Sequence, residues 1–96
     1  IPDLCLPVPM GMYNGLYIEM KYDTGRLEDS QKKILKALAA AGHYCTVCYG
    51  AEEAIRVLQE YINLKKIDAG KREDTMSEQN LMIRKNGKVK CIIFKE

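Results

Sequence analysis

Histidine is nearly absent from this chain: His43 is the only one in 96 residues. Without a second histidine, a two-histidine metal centre or a histidine-metal nuclease site has too few ligands within the chain. A serine or cysteine triad would have only His43 as its base, and no motif aims a nucleophile at it. His43 itself follows Gly42 at an expected helix end, where an imidazole commonly meets the last carbonyls or the negative end of the helix dipole. Charge of one sign is scarce as well. With 15 Lys and Arg against 13 Asp and Glu, the formal net charge is only +2. The composition therefore does not announce a nucleic-acid binder, and any charge that serves one must be local. No apolar run approaches membrane-spanning length and nothing resembles a signal peptide, so a soluble intracellular protein with no membrane partner is expected.

The chain is long enough for one small domain, whose high surface-to-volume ratio leaves little stability to spare; a partner subunit would help. It starts at Ile1 rather than Met, and a preceding segment is expected. Four cysteines are present, two of them in Cys45-Thr46-Val47-Cys48, the spacing used by zinc and redox sites. Tyr44 to Tyr49, however, is rich in β-branched and aromatic residues and reads as a buried strand. Residues three apart on a strand face opposite sides, which separates the two thiols. Reduced cysteines acting as small core residues fit better, and they suit an intracellular location.

Between Glu28 and Ala41, the residues Ile34, Leu35, Leu38, Ala39 and Ala41 form an apolar stripe at helical spacing, stopped by Gly42. A second amphipathic helix is expected over Ala51 to Ile62, with Ala54, Val57, Leu58 and Tyr61 on one side and Glu52, Glu53, Arg56, Gln59 and Glu60 elsewhere. Residues 67–80 are polar and weakly periodic and read as a linker or loop after a core spanning 1–66. Residues 81–96 then read as a β-hairpin extension of the same domain. Its turn is Asn86-Gly87, the dipeptide that best accepts the positive φ angles of a type I′ turn. Two isolated strands are marginal in water, so the hairpin must join the main sheet or another subunit. The tip of this hairpin gathers Arg84, Lys85, Lys88 and Lys90: either a charged turn that protects an edge, or a contact with a nucleic-acid backbone through Lys85, Lys88 and Lys90.

The residues arranged like a catalytic site lie near the start. Glu19-Met20-Lys21 closes the apolar run Gly15-Leu16-Tyr17-Ile18, and on a strand Glu19 and Lys21 project from one face while Met20 turns to the other. If Leu4-Cys5-Leu6 pairs antiparallel with Leu16-Tyr17-Ile18, the carboxylate of Asp3 approaches Glu19 across the strands. Two hard oxygen ligands for Mg²⁺ then sit beside an ammonium, a minimal kit for hydrolysing phosphodiesters. Glu-x-Lys triplets are common by chance, so the surroundings must supply the specificity.

Those surroundings are ordered: Ile-Pro-Asp-Leu, then Gly-Leu-Tyr-Ile-Glu-Met-Lys, then Gly-Arg-Leu followed by Gln31, then Val-Cys-Tyr-Gly-Ala-Glu-Glu-Ala. Over about the first two thirds of the chain, this set closely resembles the virus-type replication-repair nuclease (VRR-NUC) family of the PD-(D/E)xK superfamily. The resemblance implies an α/β fold, a restriction-endonuclease-like mixed sheet flanked by helices, here with the hairpin as a C-terminal extension. It implies a helix with a further glutamate, and a strand, before the Pro-Asp turn. Asp3 and Glu19 would hold Mg²⁺ or Mn²⁺ with help from the backbone carbonyl of Met20, and Lys21 would orient water or neutralise the phosphate. Gln31, otherwise readable as a solvated first-turn residue, would support the core or contact a phosphate. Tyr49, otherwise a half-buried packing residue, would line the cleft. Many members have a serine-like N-cap where this chain has Glu28 and Asp29, so the helix start departs from the pattern. The implied activity is a homodimeric, structure-specific endonuclease acting on branched DNA such as four-way junctions, in the cytoplasm of a bacterial or phage-infected cell. A catalytically silent DNA-binding or assembly module of the same fold is the alternative.

Overall fold

The computed structural model describes residues 1–64 and 80–93. Its elements run β1 (Leu4–Leu6), β2 (Leu16–Lys21), α1 (Asp29–Ala40), β3 (Tyr44–Tyr49), α2 (Ala51–Ile62), β4 (Asn80–Lys85) and β5 (Lys88–Ile93). They form one mixed sheet in the spatial order β1-β2-β3-β4-β5. β1 pairs antiparallel with β2 in the register Leu4↔Ile18, Cys5↔Tyr17, Leu6↔Leu16, the pairing expected from the apolar runs. β2, β3 and β4 are mutually parallel, and β5 returns antiparallel along β4. The segment at 67–80 lies outside the described residues except for Asn80, which already belongs to β4.

Side chains alternate across the sheet, and each face takes one helix. Leu16, Ile18 and Cys48 pack with Ala54, Val57 and Tyr61 of α2. Cys45, Val47 and Leu81 pack with Leu35 and Ala39 of α1 on the other side. The two thiols of the Cys-x-x-Cys segment therefore lie in different layers, and burial pushes them up to about 12 for Cys45 and about 11 for Cys48. Such thiols stay protonated and cannot share a zinc ion. Of the stripe expected on α1, Leu35 and Ala39 are buried and Leu38 half-buried; Ile34 and the C-cap Ala41 remain exposed.

Several contacts set the frame that carries the site. The connection between β1 and β2 docks on the end of α1: Asn14 N–H donates to Gly42 O at 2.8 Å and Asn14 Nδ2 to Ala41 O at 3.0 Å. A Cβ at Gly15 would stand 3.2 Å from Leu6 O and 3.3 Å from His43 Nδ1, so any larger residue would push these neighbours apart by a few tenths of an ångström. His43 does not cap the helix through its ring as expected; its backbone N–H donates to Leu38 O, and the imidazole packs edge-on against Tyr17. Tyr61 reaches across to donate to Val8 O at 2.6 Å.

The hairpin adds to the main sheet. Its turn has positive φ at both Asn86 (53°) and Gly87 (73°), as a type I′ turn requires. Strand alternation corrects one expectation here: Arg84 does not join the lysines at the tip but turns onto the α2 face, where it is buried and forks onto Glu60 at 2.5 and 2.9 Å. Glu53, placed by pattern among the polar residues of α2, is 4% exposed. Its carboxylate accepts the Gly87 N–H at 2.7 Å and pairs with Arg56 at 3.1 Å, so α2 holds the hairpin turn.

Candidate active site

One register step beyond Leu4↔Ile18, Asp3 falls opposite Glu19 and Pro2 opposite Met20. β1 has ended by then, and the side chain of Asp3 supplies the acceptor instead: its Oδ2 takes the Met20 N–H at 2.8 Å. This bond fixes an otherwise exposed aspartate against the strand that bears Glu19. Glu19 faces the α1 layer and is only 6% exposed. Burial raises its pKa above the ordinary carboxylate value; the neighbouring Asp3 carboxyl raises it further, and Lys21 pulls it back. Burial and the Asp3 carboxyl thus oppose ionisation of Glu19, a conflict a bound cation resolves.

α1 enters the site at its first turn. Glu28 is the N-cap, with extended backbone, and Gln31 stands at the third helical position. The Gln31 amide works in both directions, accepting the Glu28 N–H at 3.0 Å through Oε1 and donating through Nε2 to Glu19 Oε2 at 3.3 Å. The Glu28-x-x-Gln31 spacing thus replaces the serine-type cap, with glutamine closing the turn. A cavity of about 280 Å³ opens between the start of β1 and this turn, lined by Asp3, Glu19, Glu28, Ser30 and Gln31 among others. Glu28 and Ser30 were not singled out by sequence reasoning; the capping-box spacing was the signal that could have drawn attention to Glu28.

Lys21 ends β2 on the same face as Glu19, two residues on, and its carbonyl accepts the Gly50 N–H at 3.1 Å. Its ammonium makes no ion pair among the described residues. Tyr49 is half-buried and donates to Gly25 O at 2.6 Å, tying β3 to the turn after β2. Lys85 lies 4.6 Å above the Tyr49 ring and donates to Asp23 O at 3.0 Å. Lys88 and Lys90 are exposed on β5, away from Glu19. The geometry therefore gathers Asp3, Glu19, Gln31 and Lys21 around the end of β2, with the hairpin lysines on strands farther across the sheet.

The donor set fits a hard divalent cation. Asp3 and Glu19 offer adjacent carboxylate oxygens, and no cluster of three or more His, Cys, Asp or Glu suited to a metal occurs among the described residues. Mg²⁺ typically uses one or two carboxylates and fills its remaining positions with water, carbonyl or phosphate oxygen, so this pair suits it better than Zn²⁺. No helix of the described residues is long and apolar enough to cross a membrane.

Comparison with known proteins adds to this geometry. Residues 1–52, which contain Asp3, Glu19, Met20, Lys21, Gln31 and Tyr49, match the VRR-NUC domain family. A solved structure described as a VRR_NUC domain protein is similar at 37% identity with a TM-score of 0.66, over 70% of this chain and 56% of that one. The chain thus spans little more than half the length of that protein. No curated protein matches the sequence.

Proposed function

Since this chain belongs to the VRR-NUC domain family, a nuclease-type family, we propose that it is a metal-dependent DNA endonuclease that cuts branched DNA such as four-way junctions. The observation that carries this reading is the convergence of Asp3 and Glu19 on one cavity, with Gln31 bonded to Glu19 and Lys21 on the same strand face. Asp3 and Glu19, with the backbone carbonyl of Met20, would hold Mg²⁺ or Mn²⁺. The ion supplies Lewis-acid stabilisation of the charge that builds on phosphorus and its oxygens. Gln31 donates to one oxygen of Glu19 and so orients the carboxylate that would hold the ion. Lys21, without an ion-pair partner among the described residues, orients the attacking water or neutralises the phosphate. Attack of water oxygen on phosphorus breaks the bond to the 3′ oxygen, which takes up a proton and leaves a 5′-phosphate and a 3′-hydroxyl.

A homodimer suits this chemistry, because two sites related by a two-fold axis can cut two strands of a junction symmetrically. Leu58 lines an apolar groove with Leu4 and Leu6, and Ile55 and Ile62 are spaced to share its side of α2. Ile55 and Ile62 are exposed and supply apolar surface for a second copy. The test is Mg²⁺-dependent cleavage of labelled four-way junction, flap and linear duplex DNA, beside Glu19→Gln and Lys21→Met. Loss of cleavage in both variants, with folding intact, supports the assignment. A folded protein that cuts none of these substrates with metal present would instead be a silent DNA-binding module.

A further inference from the structure

The three parallel strands end together, and the residues at their ends form a row across the sheet. Lys21 pairs with Tyr49; Tyr49 lies opposite Lys85, one step beyond Cys48↔Arg84; and Lys85 pairs with Lys88 on β5. Partners in register point to the same face, which is the face of Glu19. Neighbouring strands stand about 4.8 Å apart, so the row carries three ammonium groups over roughly 14 Å, starting two residues from Glu19. Arg84, the neighbouring cation on β4, is turned to the opposite face and neutralised by Glu60.

The turn after β2 borders this row. Lys85 donates to the backbone carbonyl of Asp23 and Tyr49 to that of Gly25, so both sides of the row grip the turn. Between the turn and Asn86 opens a groove of about 230 Å³, lined also by Tyr22, Thr24, Tyr49 and Lys85. Asp23 is the acid on its lining, and it meets Lys85 through its carbonyl. Tyr22 directly follows Lys21 and is 65% exposed. An exposed ring, a groove and a row of cations beginning at the scissile centre make a surface suited to one nucleic-acid strand: phosphates lie along ammonium groups and an unpaired base stacks on an aromatic face.

We propose that one DNA strand leaves the catalytic centre along the row Lys21–Tyr49–Lys85–Lys88, with Lys88 contacting its phosphates and Tyr22 stacking on an unpaired base next to the cleaved bond. This rests on the nuclease reading and adds to it the path and the unpaired character of the flanking nucleotide. Lys85 is a positioning residue, since its ammonium donates to the turn at Asp23 and lies over the Tyr49 ring. Lys90 is the internal control: it shares β5 with Lys88 but pairs with Ile83, in the row nearer α1.

The experiment is fluorescence anisotropy of a labelled single-stranded oligonucleotide with the whole chain, without divalent metal, across a salt series. Lys88→Gln is expected to lower affinity several-fold at low salt and to reduce the slope of log K against log salt by about 0.7, the loss of one single-strand phosphate contact. Lys90→Gln is expected to leave the slope in place. Tyr22→Leu is expected to weaken binding roughly tenfold, and Tyr22→Phe to preserve it. Equal effects of the two lysine substitutions, an unaffected Tyr22→Leu variant, or no binding by the unsubstituted chain would overturn the path. The same preparations assayed for cleavage keep the two readings apart. Cleavage lost in Glu19→Gln but an unchanged salt slope in Lys88→Gln removes the path and leaves the nuclease, whereas the reverse pattern leaves a binding track without catalysis.

Discussion

Glu19→Gln is expected to stabilise the metal-free protein while abolishing its activity. Glu19 is buried at the edge of a cavity, beside a second carboxylate, and its described hydrogen-bond donor is the Gln31 amide at 3.3 Å. That bond lies beyond the usual range, so making it neutral costs at the low end of its class, about 0.5 kcal/mol. Lost attraction to Lys21 subtracts a little more. Against this, the amide removes both the desolvation of a buried charge and the repulsion from Asp3, relief within the about 0.5–2 kcal/mol that single stabilising substitutions commonly gain. The net gain is up to about 1 kcal/mol, or at most roughly 4–8 °C in melting temperature for a domain of this size. The pH dependence follows from the direction of the shift. Because the folded pKa of Glu19 lies above its ordinary 4.5, the protonated form favours folding; that stability is full below 4.5 and is lost as pH rises through the folded value. Thermal and urea unfolding of both proteins in EDTA should therefore show the advantage of the glutamine variant at pH 7.5 and its disappearance near pH 4. Adding Mg²⁺ should then raise the melting temperature of the unsubstituted protein more than that of the variant. A glutamine variant less stable at pH 7.5, or an advantage that persists at pH 4, would refute the argument that burial and Asp3 together oppose the ionisation of Glu19.

Two further outcomes follow from buried groups outside the site. Glu53→Ala removes the acceptor of the Gly87 N–H and the partner of Arg56, and should cost about 2 kcal/mol while making the Gly87 amide exchange markedly faster; hydrogen exchange read by mass spectrometry checks it, and unchanged protection of the β4–β5 turn would contradict it. Cys5 and Cys91 are exposed whereas Cys45 and Cys48 are buried, with thiols pushed to about 12 and about 11. Iodoacetamide at pH 8 should accordingly label the first pair in the native protein and all four only in denaturant; early labelling of Cys45 or Cys48 would mean that the sheet opens locally.

What could be read before the fold was known came from patterns a few residues long. The alternation in Leu16–Lys21 shows that Glu19 and Lys21 share a face, and the apolar stripes place α1 and α2 nearly to the residue. Asn86-Gly87 announces the hairpin because few other dipeptides accept positive φ at both positions. The approach of Asp3 to Glu19 was legible only on the assumption that the two apolar runs pair, which they do. Gln31 shows the limit of this kind of reading. Its place in a first helical turn is local, but the amide's contact with Glu19 depends on where α1 crosses the sheet.

The amino-acid sequence by itself determined the elements and most of their buried faces, because periodicity and backbone preference act over one or two turns of chain. Only the tertiary structure decided which elements became neighbours. It inserted β4 parallel to β3, sent Arg84 to Glu60 instead of the hairpin tip, buried Glu53 beneath Gly87, and aligned Lys21, Tyr49, Lys85 and Lys88 in one row. Each of these joins residues at least 20 positions apart along the chain at one link or more, and such contacts follow from how apolar faces pack against one another. Local pattern tells which way a side chain points; packing decides what it meets there.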